Sequence, residues 1–358
     1  MGAAGFGMLA GQTGYPVGFA VTAVVIVVAF AGTRTDRPER SLAPCALRSR
    51  SGGRLTGKVA TSGHRPRASS VSLAYGWRRR EVALVGGEGM RHCRVRSGSA
   101  GLAVTEVGSG EAVVLLHAGV ADRRSWYPVM DALADRFRLL AYDQRGFGET
   151  DYQPERCSPV DDLRAVLDAA GVDRAVLVGA SRGGQVAAEA AFRWPERMRG
   201  LALVGSAPVG GPSPDTLAHE IDKLFDAVEA AETTGDTAEV NRLEAHLWLD
   251  GPLMPEHRVG GPARELFLDM NGRALAAPPR GEEEELPRRW DQLADFPIPT
   301  LVVIGEHDLP LLVDRARAMA ATIPSVRLVI LAGSAHLPML DSPAELVDAL
   351  SAFLTGLA

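Results

Sequence analysis

From Met90 onward the apolar positions switch between two periods. RHCRVRS (91–97) and GLAVTEVG (101–108) flank a Gly/Ser break and predict a β-hairpin. AVVLL (112–116) is a continuous apolar run, as expected for a strand covered on both faces. A helix is predicted from Ser125, with Trp126, Met130, Leu133 and Phe137 marking its apolar side and exit. FRLLAYD (137–143) reads as strand, and SPVDDLRAVLDAAG (158–171) as a helix with Ser158 as N-cap and Gly171 as stop. RAVLVGA (174–180) is strand again, followed by a helix from about Arg182 to Arg193. LALVGSA (201–207), LVVIG (301–305) and VRLVILA (326–332) read as further buried strands, and 341–357 as a closing amphipathic helix. Strands alternating with helices predict an α/β fold whose mostly parallel central sheet carries helices on both faces.

Two stretches break this rhythm. Between about 209 and 293 the pattern is helical: EIDKLFDAVEAAE with Ile221, Leu224, Phe225 and Val228, then AEVNRLEAHLWL with Val240, Leu243 and Leu247, then ARELFLDMNGRAL. An all-helical insertion between sheet strands is expected to form a cap over the sheet's carboxyl edge, where open α/β sheets bind ligands. The Glu282–Glu285 run reads as a solvated edge of that cap. The second stretch is the start of the chain. Gly2 to Thr33 carries no charge, and GFAVTAVVIVVAFAG (18–32) approaches the roughly 20 apolar residues that span a bilayer. Arg34, Arg37 and Arg40 follow, which would leave the rest in the cytoplasm. Residues 34–89 mix Ser, Gly, Arg and Pro without apolar periodicity and read as a disordered linker. Alternatively, residues 1–89 are a spurious leader, because Gly86-Gly87-Glu88-Gly89-Met90 has the coding look of a ribosome site ahead of a start codon. The expected organisation is thus 1–33, 34–89 and a main domain over 90–358. Its location is cytoplasmic, tethered to a membrane only if residues 1–33 are truly translated.

Composition narrows the partners. The net charge of −6 conceals a division: the first 100 residues hold 15 of the 38 basic and only 4 of the 44 acidic side chains. The strongly acidic remainder excludes nucleic acid, which needs a basic face. Cys45, Cys93 and Cys157 are scattered, fitting neither a disulfide framework nor a zinc site, and read as reduced thiols. No metal and no cofactor is expected, and nothing in the sequence specifies an oligomeric state.

Gly179-Ala180-Ser181-Arg182-Gly183 matches G-x-S-x-G between a predicted strand and a predicted helix, the setting that motif requires. Small neighbours permit a tight turn that exposes Ser181; a simple N-cap serine would leave the paired glycines unexplained. A serine hydroxyl needs a base. His336, in the loop Leu331–Pro338 after the last strand, has the best setting. His219, His246 and His257 fall in the insertion and read as solvated, His64 and His92 in the leader or its junction, and His117 and His307 as structural. Asp308 in Gly305-Glu306-His307-Asp308 is the expected orienting carboxylate, with Glu306 its competitor.

The landmarks VVLLHAG, AYDQRGFGET (141–150), GASRGG, GEHD and GSAHLP occur in this order. From about residue 92 the chain therefore resembles the α/β-hydrolase fold superfamily. It looks most like small esterases and enol-lactonases, together with carbon–carbon bond hydrolases of aromatic breakdown. The resemblance implies a cofactor-independent serine hydrolase of a small carboxylic ester or lactone, using Ser181, Asp308 and His336 through an acyl-enzyme. Carbon–carbon bond hydrolysis and a non-catalytic ligand-binding module are the alternatives. It also implies an oxyanion hole from the backbone N–H groups of Arg182 and Gly119, although His117-Ala118-Gly119 departs from the family's usual H-G-x at Ala118. DQRGFG (143–148) is implied to be a structural turn. Serine at the elbow, where dehalogenases and epoxide hydrolases carry aspartate, argues against both. Arg182 stands where Met, Leu, Gln or Trp is frequent. Facing the pocket, its side chain would bind an anionic substrate; turned away, it would pair with an acidic residue.

Overall fold

A computed structural model describes residues 89–214 and 216–357. The apolar stretch 18–32 and the expected leader and linker lie outside these residues, apart from Gly89. No helix among the described residues is long and apolar enough to cross a membrane.

Eight strands form one sheet: β1 (Arg91–Ser97), β2 (Ala100–Val107), β3 (Ala112–Leu116), β4 (Arg138–Tyr142), β5 (Ala175–Ala180), β6 (Met198–Val204), β7 (Thr300–Gly305) and β8 (Val326–Leu331). Their order is β1-β2-β4-β3-β5-β6-β7-β8. β2 pairs antiparallel with β1 and β4, and every other pairing is parallel. The helices are α1 (Tyr127–Leu133), α2 (Pro159–Ala169), α3 (Arg182–Arg193), α4 (His219–Thr234), α5 (Thr237–Glu244), α6 (Gly261–Leu275), α7 (Pro310–Thr322), α8 (Pro338–Asp341) and α9 (Pro343–Gly356).

Side chains alternate across a strand, so a strand covered on both faces must be apolar at every position. Val114, Leu116 and Leu177 enter one core with Leu163 and Val166 of α2, Val186 and Ala187 of α3, and Ala316 and Met319 of α7. Their neighbours Val113, Leu115, Val176 and Val178 enter the other with Val129 and Met130 of α1 and Leu346 and Leu350 of α9. Each fully buried side chain of this size contributes roughly 1.5–3 kcal/mol. The strands come close to their expected bounds.

Three differences have local causes. The helix expected from Ser125 opens as a 3-10 turn, Arg123–Trp126, because the Asp122 side chain caps it by accepting from Arg124 N. The closing helix is split into α8 and α9 at Ser342-Pro343, since proline cannot donate the N–H that would continue the first. α7 was not among the predicted elements. Its buried Val313, Ala316 and Met319 are three apart and share one face, but the small Ala316 among other alanines leaves that stripe faint in the sequence.

The segment between β6 and β7 holds α4, α5, a π-helical turn at Ala245–Asp250, and α6. Ile221, Leu224, Val228, Val240, Leu243 and Leu247 form a separate apolar cluster in this insertion. Phe267 and Met270 of α6 anchor it to the α1/α9 core.

Candidate active site

β5 passes into α3 through one residue, Ser181, at φ 48° and ψ −118°. Among the described residues only His257 shares a positive φ without being glycine. Such a conformation costs on the order of 1–3 kcal/mol and persists only where its surroundings enforce it. The glycines do so by close approach. A Cβ on Gly179 would lie 2.4 Å from the Gly183 carbonyl oxygen, and one on Gly183 would lie 2.4 Å from that of Leu116. Ser181 N–H donates to Val204 O at 2.9 Å, and Ser206 Oγ donates to Ser181 O at 2.6 Å. The main chain is tied on both sides, while the side chain caps no helix N–H. Helix capping therefore does not account for this serine.

His336 and Asp308 come from the loops after β8 and β7 and are both buried. His336 Nδ1 lies 2.9 Å from Asp308 Oδ2 and 3.0 Å from Oδ1. Leu309 N–H donates to Oδ1 at 2.7 Å, fixing the carboxylate. Glu306, the competitor, is exposed and accepts from Gly333 N instead. Gly205 lies against the pair: a Cβ there would be 3.0 Å from His336 Nδ1 and 3.3 Å from Asp308 Oδ2. Because Val204 and Ser206 bond to Ser181, the tripeptide 204–206 is a wall shared by the serine and the imidazole–carboxylate pair. The Trp248 ring, from the π-helical turn, sits 4.7 Å from that of His336, a neighbour no local sequence signal indicated.

On the other side of Ser181 lies the turn His117-Ala118-Gly119. Gln144 N–H donates to His117 Nε2 at 3.0 Å, so the ring proton is on Nδ1, which donates to Ala118 O at 2.7 Å. Pinning that carbonyl sets the plane of the Ala118–Gly119 peptide and turns Gly119 N–H the opposite way. A Cβ on Gly119 would be 3.8 Å from that of Arg182, so the two expected oxyanion donors are neighbours. His117 is fully buried, and desolvation pushes its pKa down to about 4. The unfolded chain then binds a proton near pH 6.5 that the folded protein refuses until about pH 4, so this histidine's contribution to stability falls as pH drops across that window. The stability gap between wild type and His117→Gln should narrow by up to about 3 kcal/mol between pH 7 and pH 4. Urea midpoints at the two pH values measure it, and a constant gap would mean that His117 takes up its proton over the same pH range folded and unfolded.

Arg182 pairs with Glu283 at 2.5 Å, and the same carboxylate takes Arg280 Nη1 at 3.3 Å. Arg280 also lies over Phe147, 5.5 Å from its centroid. Burial, then the Arg182 charge, hold the Arg280 pKa below the usual guanidinium value. Arg182 Nε is buried without a hydrogen-bond partner. The Glu282–Glu285 run is therefore not simply a solvated edge. Glu284 pairs with Arg193 at 2.8 Å, and the backbone of Glu282 and Glu284 bridges Cys157 at 2.9 and 2.8 Å. Partners a hundred residues away, not local charge pattern, decide the role of this run. Among the described residues, no group of three or more His, Cys, Asp or Glu is arranged to hold a metal ion.

The family model for the alpha/beta hydrolase fold matches residues 111–343. The chain is 30% identical to the 2-hydroxymuconate semialdehyde hydrolase of Pseudomonas sp. (strain CF600), over 69% of this chain and 88% of that protein. It is 26% identical to the 2-(acetamidomethylene)succinate hydrolase of Mesorhizobium japonicum, over 73% and 94%. Among solved structures it is similar to a thermophilic esterase from Thermogutta terrifontis (malate bound), with TM-score 0.58 and 26% identity over 75% of this chain and 99% of that one. The strand order, the strained serine elbow and a family match across well over half of its length agree: the chain belongs to the α/β-hydrolase fold family and is a hydrolase.

Proposed function

We propose that the protein is a serine hydrolase of small carboxylic esters or lactones, working through an acyl-enzyme. The observations that support this reading are the enforced, strained turn at Ser181, tied to Val204 and Ser206, and the buried His336–Asp308 pair against which the intervening Gly205 lies. His336 Nε2 removes the Ser181 proton as Oγ attacks the substrate carbonyl carbon, and Asp308 stabilises the imidazolium. The N–H groups of Arg182 and Gly119 receive the oxyanion, an arrangement in which one donor is worth about 3–4 kcal/mol. Collapse expels the alcohol, which takes the proton from His336. A water molecule, deprotonated by His336, then releases the acid. The activity belongs to residues 90–358, with the helical insertion as a cap that lays its Trp248 against His336.

The test combines a fluorophosphonate probe, expected to add to Ser181, with p-nitrophenyl esters and simple lactones, expected to turn over. Similarity to the 2-hydroxymuconate semialdehyde hydrolase favours a second reading, in which the same groups cleave a carbon–carbon bond of a vinylogous diketone. Turnover of such diketones without ester turnover would replace the first reading. Binding without turnover of either would make the protein a ligand-binding module.

The pairing of Arg182 with Glu283 is what a side chain turned from the pocket was expected to show; we propose that it still serves the site, and that the substrate is an acyl compound bearing a carboxylate. Two guanidiniums share Glu283, leaving one positive charge unmatched, and Arg182 Nε–H has no acceptor. A charge-assisted hydrogen bond is worth about 1.5–3 kcal/mol, a factor of ten or more in affinity. Arg182→Gln keeps the backbone N–H. It should lower kcat/KM for a mono-p-nitrophenyl dicarboxylate about tenfold more than for p-nitrophenyl butyrate. Equal losses on both esters would confine Arg182 to its pairing with Glu283.

A further inference from the structure

Arg258 follows the π-helical turn Ala245–Asp250 and folds back onto it. Its Nε donates to Asp250 O at 2.5 Å and its Nη2 to Leu249 O at 2.8 Å, satisfying carbonyls at a helix end that otherwise lack partners. The same guanidinium also reaches out of the insertion. Nη1 donates to Gly333 O at 2.6 Å, and Nη2 pairs with Asp341 Oδ2 at 2.7 Å. The Asp341 carboxylate is buried and closes the loop that carries His336: Ser334 Oγ donates to Oδ1 at 2.6 Å and Ala335 N–H to Oδ2 at 2.8 Å. One planar cation thus fastens two things together. It holds the turn whose Trp248 packs on the His336 ring, and it holds the loop that carries the His336 backbone.

We propose that Arg258 and Asp341 are positioning residues that make the placement of His336 depend on the seating of the helical insertion. The inference rests on the reading of His336 as the base. With the insertion seated, the carboxylate is neutralised and the loop from Ser334 to Asp341 is closed around it. If the insertion lifts, Arg258 leaves with it and Asp341 is left a buried, unpaired anion, which strongly disfavours the closed loop. The imidazole then loses its Trp248 neighbour and its loop tether in one step. Displacement of a catalytic group by about 1 Å can cost on the order of a hundredfold in rate. Lysine cannot reproduce the bracket, because it lacks the planar fork that reaches three carbonyls and a carboxylate together.

The experiment compares the full chain with Arg258→Met, Arg258→Lys and Arg264→Met. Arg264 ties Asp250 and Val259 O within the insertion but makes no bond to the His336 loop, so its loss reports weakening of the insertion alone. The readouts are the rate of Ser181 labelling by a small fluorophosphonate, kcat and KM for p-nitrophenyl acetate, and the melting temperature. Arg258→Met should slow labelling and lower kcat at least tenfold with KM within about threefold of wild type, a split that follows from misplacing the base. Arg258→Lys should fall between, and Arg264→Met should label within about threefold of wild type at temperatures well below its melt. Labelling of Arg258→Met at the wild-type rate overturns the proposal, as does an equal slowing in Arg264→Met. If Arg258→Met does not fold, Arg258→Lys decides: slowed labelling supports the bracket and the wild-type rate overturns it. Failure of the wild type itself to label at Ser181 would instead overturn the hydrolase reading and the bracket with it.

Discussion

Ser181→Ala is expected to abolish turnover of p-nitrophenyl esters, lowering kcat by about 10⁴-fold or more. The loss would be chemical, because the substitution spares what holds the elbow. Ser181 is bound to Val204 and Ser206 through its own N–H and carbonyl, and alanine supplies both. Alanine also meets the positive φ with no more strain than serine, since both carry a Cβ there. The serine side chain caps no helix N–H, so its removal exposes no helix end. Melting temperature should therefore hold to within a few degrees. A residual rate above that of water would remain, because the proposed oxyanion donors, Arg182 and Gly119 N–H, are main-chain groups untouched by the change. Steady-state kinetics on the purified variant, with mass spectrometry to exclude wild-type contamination, measures the loss. Turnover within tenfold of wild type would show that the chemistry runs through another group.

The parts of this architecture legible in the sequence are those where a short stretch determines its own outcome. A strand such as Val113–Leu116 must serve two cores at once, and that requirement writes an unbroken apolar run into the chain. The elbow was equally readable, because Gly179 and Gly183 answer contacts with neighbouring backbone that no other residue tolerates. The order of Ser181, Asp308 and His336 pointed to the imidazole–carboxylate pair, and the carboxylate beside His336 is that of Asp308, not Glu306. What stayed hidden depends on partners distant in sequence. Glu283 looks like one member of a solvated acidic run until Arg182, 101 residues earlier, folds against it. Trp248 lies in a turn whose apolar pattern shows that it buries a face, but not that the face meets His336. α7 escaped notice for a different reason: one face packs on the sheet beside short alanines, so its periodicity is faint.

Asp308→Asn should cost about 10³–10⁴-fold in kcat while leaving the molecule folded. The carboxylate accepts twice: from Leu309 N–H at Oδ1, and from His336 Nδ1 within 3.0 Å of both oxygens. An asparagine is isosteric, and its amide oxygen would keep the bond from Leu309, which only an acceptor can make. That choice directs the NH₂ group at His336. A donor facing Nδ1 turns that nitrogen into an acceptor and moves the ring proton to Nε2, the nitrogen proposed to receive the Ser181 proton. The histidine would remain in place but in the tautomer that cannot take the serine proton, and no anion would remain to stabilise an imidazolium. The loss should thus fall on kcat, with KM nearly unchanged and labelling of Ser181 by fluorophosphonate slowed in proportion. Retention of the fold is checked by the melting temperature, and the tautomer by ¹⁵N chemical shifts of the His336 ring. A loss of less than tenfold, or an imidazole still protonated at Nδ1, would remove Asp308 from its orienting role and leave His336 to be held by Trp248 and its loop alone.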